Sequence, residues 1–66
     1  MKELGILIKE RRKEFGITQR TLAELAEINI NTLTQMERGE GNPTVRTLER
    51  VLNIIGMTLT AKISEP

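Results

Sequence analysis

The stretch Thr18–Arg38, TQRTLAELAEININTLTQMER, predicts two short helices joined by a tight corner. Thr18 has the hydroxyl side chain that often caps a helix N-terminus, and apolar residues follow it at helical spacing. Asn29 is a second N-cap candidate, after which Leu33 and Met36 lie on one side of the next helix. Two short helices joined by a turn of about three residues form a helix-turn-helix, whose second helix enters the DNA major groove.

Extended to residue 44, this stretch resembles the lambda-repressor-like (Xre/Cro) helix-turn-helix family. The resemblance lies in the elements Thr-Gln, Leu-Ala-Glu-Leu-Ala, Glu-Arg-Gly and Asn-Pro-Thr at their spacing, and it covers about Leu4 to Gly56. It implies an all-α, four-helix DNA-binding domain. Glu27 stands where the family usually has glycine. If that residue has a positive φ, its side chain costs on the order of 1 kcal/mol.

Composition excludes most other classes of function. The chain has 66 residues, enough for one small domain, and it lacks cysteine, histidine and aspartate. Disulfides, nucleophilic triads and the commonest zinc ligands are therefore excluded, and we predict no enzyme activity, metal or cofactor. No apolar run approaches the roughly 18 residues of a membrane span, and no signal peptide is recognisable. We expect a cytoplasmic protein with no membrane partner and no small-molecule ligand.

The charge is unevenly distributed along the chain. The formal net charge is only +1, but residues 1–20 carry six basic and three acidic side chains, and residues 21–45 carry one basic and four acidic ones. Positive charge is thus concentrated on the first helix, which favours double-stranded DNA as a partner. The alternative is a solvated helix face with no binding role.

The second helix of the pair carries the predicted base contacts. Asn31 and Gln35 are four residues apart, and their amides suit bidentate contact with adenine N6 and N7. Ile30 can meet a thymine methyl group, and Thr32 or Thr34 can reach a methyl group or a phosphate. The alternative is a polar face that meets only water. The predicted base-contacting residues are Ile30, Asn31, Thr32, Thr34 and Gln35.

The resemblance also implies phosphate contacts. Gln19 matches a residue that bonds a phosphate in the family, and free N–H groups at a helix N-terminus attract an anion. Arg12 matches an arginine that pairs with the glutamate of Glu-Arg-Gly, so we predict an Arg12–Glu37 ion pair that could orient a phosphate-contacting guanidinium. The predicted phosphate contacts are Arg12, Thr18, Gln19, Arg38, Asn42 and Arg46.

Two further helices flank the pair. The spacing of apolar residues predicts helices over Met1–Phe15 and Val45–Ile55, which Gly16 and Gly56 would end. Ile6 lies off the main stripe and is either an isolated exposed residue or part of a contact with another chain. The predicted apolar stripes are Leu4, Leu7, Ile8 and Phe15 in the first helix, and Val45, Leu48, Val51, Leu52 and Ile55 in the last.

The last segment has a different period. Met57, Leu59, Ala61 and Ile63 alternate with polar residues, which predicts a half-buried β-strand. The sequence predicts no second strand, so we expect this one to pair antiparallel with the same strand of a second copy. This arrangement is similar to that of HipB-type antitoxins. The predicted division is residues 1–56 as the DNA-binding domain and 57–66 as the dimerisation strand and tail.

Together these features predict a transcriptional repressor that binds a palindromic operator as a homodimer. In such a dimer the two second helices would lie about 34 Å apart, one turn of DNA. Two alternatives stay open. The chain could be the DNA-binding antitoxin of a toxin–antitoxin pair, with a toxin as an additional partner, or a protein-interaction module that does not bind DNA.

Overall fold

The computed structural model describes residues 2–59, which form four α-helices and no strand. These are α1 (Lys2–Glu14), α2 (Gln19–Ala26), α3 (Ile30–Glu37) and α4 (Val45–Ile54). Helix α3 packs against both α1 and α2, and α4 packs against α2. The predicted all-α, four-helix architecture is confirmed. Residues 57–59 are irregular, whereas Ala61 and Ile63 of the predicted strand lie outside the described residues.

The N-termini of α2, α3 and α4 begin where the sequence predicts. The Thr18 hydroxyl accepts a hydrogen bond from the Thr21 N–H at 3.1 Å, and Thr44 does the same for Thr47. The Asn29 side chain accepts from the Asn31 N–H at 2.7 Å. Each cap satisfies a backbone donor that the first helical turn cannot pair, and this fixes where the helix begins.

All four helices within residues 2–59 end in the same hydrogen-bonded turn, the Schellman motif. In this motif one residue just after the helix has a positive φ, and the next residue donates its N–H back to the helix. Glycine occupies the positive-φ position after α1, α3 and α4, but Glu27, with a φ of 57°, occupies it after α2. The returning hydrogen bonds are Ile17→Arg12, Ile28→Ala23, Glu40→Gln35 and Met57→Leu52.

We predict that Glu27→Gly stabilises the domain. Glycine adopts a positive φ without the clash between Cβ and the following carbonyl, so the gain should be about 1 kcal/mol. In a domain of this size that corresponds to a midpoint about 4–8 °C higher in thermal unfolding followed by circular dichroism. Glu24→Gly, within α2, is the control and should destabilise instead. An unchanged or lower midpoint for Glu27→Gly would show that the side chain is not strained.

The core draws on all four helices, but two predicted stripes are partly wrong. Leu7 and Phe15 are each about half exposed and Val45 is 59% exposed. Leu7 and Phe15 lie beside the side of α1 that packs on α3, and Val45 is the first residue of α4. Short helices in a small domain bury only a narrow stripe. The buried hydrophobic residues are Ile8, Leu22, Ala23, Ala26, Leu33, Met36, Leu48, Val51, Leu52 and Ile55.

Helix α1 approaches the end of α3 very closely at Gly5. A methyl group on Gly5 would overlap the Met36 carbonyl oxygen and lie 2.9 Å from the carbonyl oxygen of Glu37. It would also lie 3.0 Å from the Gly39 nitrogen. Since backbone atoms cannot move aside as a flexible side chain can, only glycine fits here. The sequence pattern gave no sign of this contact.

Candidate nucleic-acid interface

Helix α3 has a buried side and an exposed side. Leu33, Met36 and Glu37 are buried against the rest of the domain. Asn31 and Gln35 are exposed, and because they are four residues apart they lie next to each other on the outer face. Arg38, at the C-cap, is exposed three residues further on. This outer surface of α3 therefore offers two amides and one guanidinium to a partner.

The other three predicted base contacts lie at the edges of this surface. Ile30 is at the limit of exposure, and Thr34 is partly buried. The Thr34 hydroxyl donates to the Ile30 carbonyl at 2.9 Å, so it is already used within the helix. Thr32 is partly buried on the opposite edge. Asn31 and Gln35 are thus the two polar residues among the predicted base contacts that are exposed.

The loop after α3 supports the Gln35 side chain. Thr32, Gln35, Gly41 and Asn42 line one shallow cleft. A methyl group on Gly41 would lie 2.9 Å from the Gln35 Oε1 atom, and Gly41 has a φ of 75°. The Gln35 amide therefore rests where a larger residue would displace it. Glu40 lines the same cleft, and its carboxylate disfavours a phosphate at that point.

A buried hydrogen-bonded network joins α1, α2 and α3. The Arg12 Nε atom donates to Glu37 Oε2 at 2.7 Å, and Nη2 donates to Oε1 at 3.1 Å, which confirms the predicted ion pair. The third nitrogen of the Arg12 guanidinium, Nη1, donates to the Ile17 carbonyl at 2.9 Å. The Gln19 Nε2 atom donates to Glu37 Oε1 at 3.0 Å. Glu37 thereby holds a residue from each of the other two helices.

Burial of this network limits what Arg12 can touch. The side chains of Arg12 and Glu37 are only 10% and 3% exposed, and Arg12 directs three nitrogens at protein acceptors. Arg12 and Gln19 donate to the same carboxylate, and Arg12 is the more buried of the two residues. Direct contact between Arg12 and a phosphate stays a prediction. Within the described residues, the geometry favours a role for Arg12 in holding Glu37 and, through it, Gln19.

The remaining predicted phosphate contacts are spread over three elements. Thr18 caps α2, and its hydroxyl accepts from the first turn. Arg38 is exposed at the end of α3, and Asn42 is exposed in the loop that follows. Arg46 is exposed in the first turn of α4, which packs mainly on α2. Arg20, which is not among the predicted contacts, is an exposed basic residue beside Gln19 in the first turn of α2.

Residues 2–59 contain no group of acidic side chains that could hold a metal ion. In the same part of the chain, no helix has the length and apolar character needed to cross a membrane.

A short helix that presents amides outward, fixed by a capped corner and a buried ion pair, defines a helix-turn-helix module. The chain belongs to the helix-turn-helix family: the family model HTH_3, described as helix-turn-helix, matches residues 8–61. This membership confirms the predicted fold family. The prediction that the chain is not an enzyme agrees with the names of the relatives below, which are transcriptional regulators and repressors.

Three relatives show the similarity. The chain is 31% identical over 62 residues to the HTH-type transcriptional regulator PuuR of Escherichia coli, covering 94% of this chain and 34% of PuuR. It is 39% identical over 62 residues to the immunity repressor protein of Bacillus phage phi105, covering 94% and 43%. A regulator from Methanothermobacter thermautotrophicus is 36% identical over 50 residues, covering 76% and 72%. The chain thus spans less than half of the first two relatives.

Proposed function

We propose that this chain is a sequence-specific DNA-binding repressor that acts as a homodimer on a palindromic operator. The observation that carries the proposal is the outer surface of α3, where the Asn31 and Gln35 amides face outward from a helix held by the Arg12–Glu37 pair. Relatives named as a transcriptional regulator and an immunity repressor support it. Binding to DNA would place its action in the cytoplasm, as the sequence predicts.

Sequence choice and affinity come from different groups in this proposal. Asn31 and Gln35 read base edges, with Ile30, Thr32 and Thr34 at the edges of the contact. Phosphate contacts give affinity without sequence choice. We assign them to the first turn of α2 around Thr18 and Gln19, and to Arg38, Asn42 and Arg46. Arg12 has an indirect role in this proposal: its guanidinium fixes the Glu37 carboxylate, which in turn holds the Gln19 amide.

The proposed dimer suits the geometry of DNA. A single α3 of eight residues spans only a few base pairs, whereas two copies about 34 Å apart would read two half-sites. We propose that residues 57–66 supply the dimer contact, with Met57, Leu59, Ala61 and Ile63 on one face of a strand that pairs with its copy. Residues 1–56 then form the DNA-binding domain. Met57 also packs partly on the core, which anchors the segment.

Selection of bound duplexes from a random pool tests the function directly. We expect enrichment of a sequence with two-fold symmetry, and sedimentation of the complex should give two chains per duplex. Absence of any enriched sequence at low salt, where phosphate contacts are strongest, would contradict the proposal.

We predict that Gln35→Ala weakens binding to the selected operator by about 1–3 kcal/mol, and only at particular base pairs. The reason is that a bidentate amide contact discriminates one base from the others. Competition binding against operators changed at single positions measures the effect. The matched control is Asn53→Ala, which removes an exposed amide from α4 and should leave binding unchanged. An equal loss on all sequences would show that Gln35 does not read bases.

A further inference from the structure

Helix α1 has a second side that no part of residues 2–59 covers fully. Gly5, Ile8 and Arg12 form the buried side of α1. Leu7 lies on an adjacent side of α1, and Phe15 directly follows the last residue of this helix. The two side chains are 47% and 49% exposed although both are large and apolar. Exposed apolar residues that lie together mark contact surfaces more often than isolated ones do.

The C-terminal end of α4 is hydrogen-bonded to α1 beside these residues. The Arg11 Nε atom donates to the Ile55 carbonyl at 2.9 Å, and the Arg11 guanidinium lies 5.4 Å from the centre of the Phe15 ring. A methyl group on Gly56 would lie 3.6 Å from the Phe15 Cζ atom. The chain therefore leaves its last helix directly over the exposed side of α1.

Met57 extends this apolar region. It lines a shallow cleft together with Leu7, Arg11 and the acidic residues Glu10 and Glu14. We call the set of Leu7, Phe15 and Met57 the α1 flank. Leu59, two residues beyond Met57, is another exposed large hydrophobic residue. None of these residues belongs to α2 or α3, the helices to which base contacts and the first-turn phosphate contacts are assigned.

We infer that the α1 flank is the surface on which a second copy of this chain docks. The inference rests on the dimer of the proposed function, and it adds α1 to an interface that the sequence assigned to the terminal segment alone. The described chain ends at Leu59, next to a segment whose apolar alternation continues to Ile63. The terminal segment of each copy thus starts on this surface.

Charge supports a second copy as the occupant. A two-fold contact joins a surface to itself, so the surface must be complementary to its own copy. Three charged residues, Glu10, Arg11 and Glu14, line the cleft beside Leu7 and Met57 of the α1 flank. Arg11 Nη1 lies 3.3 Å from Glu14 Oε2 in the same chain, and the two side chains are 42% and 64% exposed. Charges of both signs therefore reach the surface beside the α1 flank, as a contact between two identical surfaces requires.

Single-cysteine variants of the full chain test this inference, since the chain contains no cysteine of its own. In Leu7→Cys, the rate of alkylation by iodoacetamide should fall as the protein concentration rises through the range of dimer formation seen by sedimentation. The matched control is Leu25→Cys on α2, whose native leucine is 59% exposed. Its rate should not depend on concentration. A Leu7→Cys rate that is slow but independent of concentration would assign the surface to the chain's own tail and overturn the inference.

A charge variant gives a second measurement. Leu7→Glu places a carboxylate beside Glu10 and Glu14 in both copies, so the dimer dissociation constant should rise at least about tenfold, equivalent to about 1.4 kcal/mol. Leu25→Glu is the control and should leave that constant unchanged. A native dimer that neither Leu7 variant alters would overturn the inference and leave the proposed function intact. A chain that stays monomeric both free and on DNA would overturn the inference and the proposed dimer together.

Discussion

Glu37→Ala is expected to destabilise the domain by about 3–5 kcal/mol, because it leaves the Arg12 guanidinium buried without its counter-charge. The substitution removes both acceptors of Arg12 Nε and Nη2 and the acceptor of Gln19 Nε2. A chain of 66 residues has a total stability of about 3–10 kcal/mol. The remaining stability would be about −2 to 7 kcal/mol, so the variant would be largely unfolded at room temperature if the native stability lies at the lower end of this range. Urea titration followed by circular dichroism measures the loss.

Two controls separate the buried charge from other effects. Glu49→Ala removes an exposed glutamate from α4 and should change stability by less than about 0.5 kcal/mol. The double variant Arg12→Met, Glu37→Leu replaces both charges with apolar side chains and should recover much of the stability, because a buried pair contributes little net energy. A loss below about 1 kcal/mol for Glu37→Ala would show that the pair is solvated in solution.

The double variant also tests the proposed role of Glu37 in DNA binding. It removes the carboxylate that holds the Gln19 amide while it keeps the fold. We expect weaker binding to all sequences, with the base preference retained, because a phosphate contact positions the protein without reading bases. A change in base preference instead would place this network in recognition rather than in positioning.

Gly5→Ala is expected to destabilise the domain by about 1–3 kcal/mol through overpacking. In an isolated helix the same change would be stabilising by about 0.5–1 kcal/mol, so the sign of the effect reports the tertiary contact. The added methyl group would meet backbone atoms of Met36, Glu37 and Gly39. Helix α1 would have to move away from α3, which would also disturb the Arg12–Glu37 pair.

Ile6→Ala is the matched control for this prediction. Ile6 is the next residue in the same helix, and its side chain is about half exposed. Alanine has a higher helix propensity than isoleucine, so the control should cost little or nothing. Thermal unfolding of both variants gives the comparison. A Gly5→Ala protein as stable as the native chain would mean that α1 and α3 lie further apart than the structure shows.

The sequence by itself determined the local structure. The caps at Thr18, Asn29 and Thr44 depend on groups within about three residues of one another, so a linear pattern contains them. A positive φ at Glu27 was considered only because the resembled family has glycine there, and the structure shows it. The Arg12–Glu37 pair spans 25 residues, and it was predicted only because the chain resembles a known family. The contacts assigned to DNA and the terminal strand stay predictions.

The tertiary structure decided what the apolar pattern left open. It turned Leu7 and Phe15 outward, brought Gly5 onto the backbone of α3, and directed the Gln19 amide at Glu37. Each outcome depends on which helices meet and how closely they approach. A residue's helical spacing gives the side of the helix on which it lies, but not which neighbour covers that side. That information exists only once segments distant in sequence have packed together.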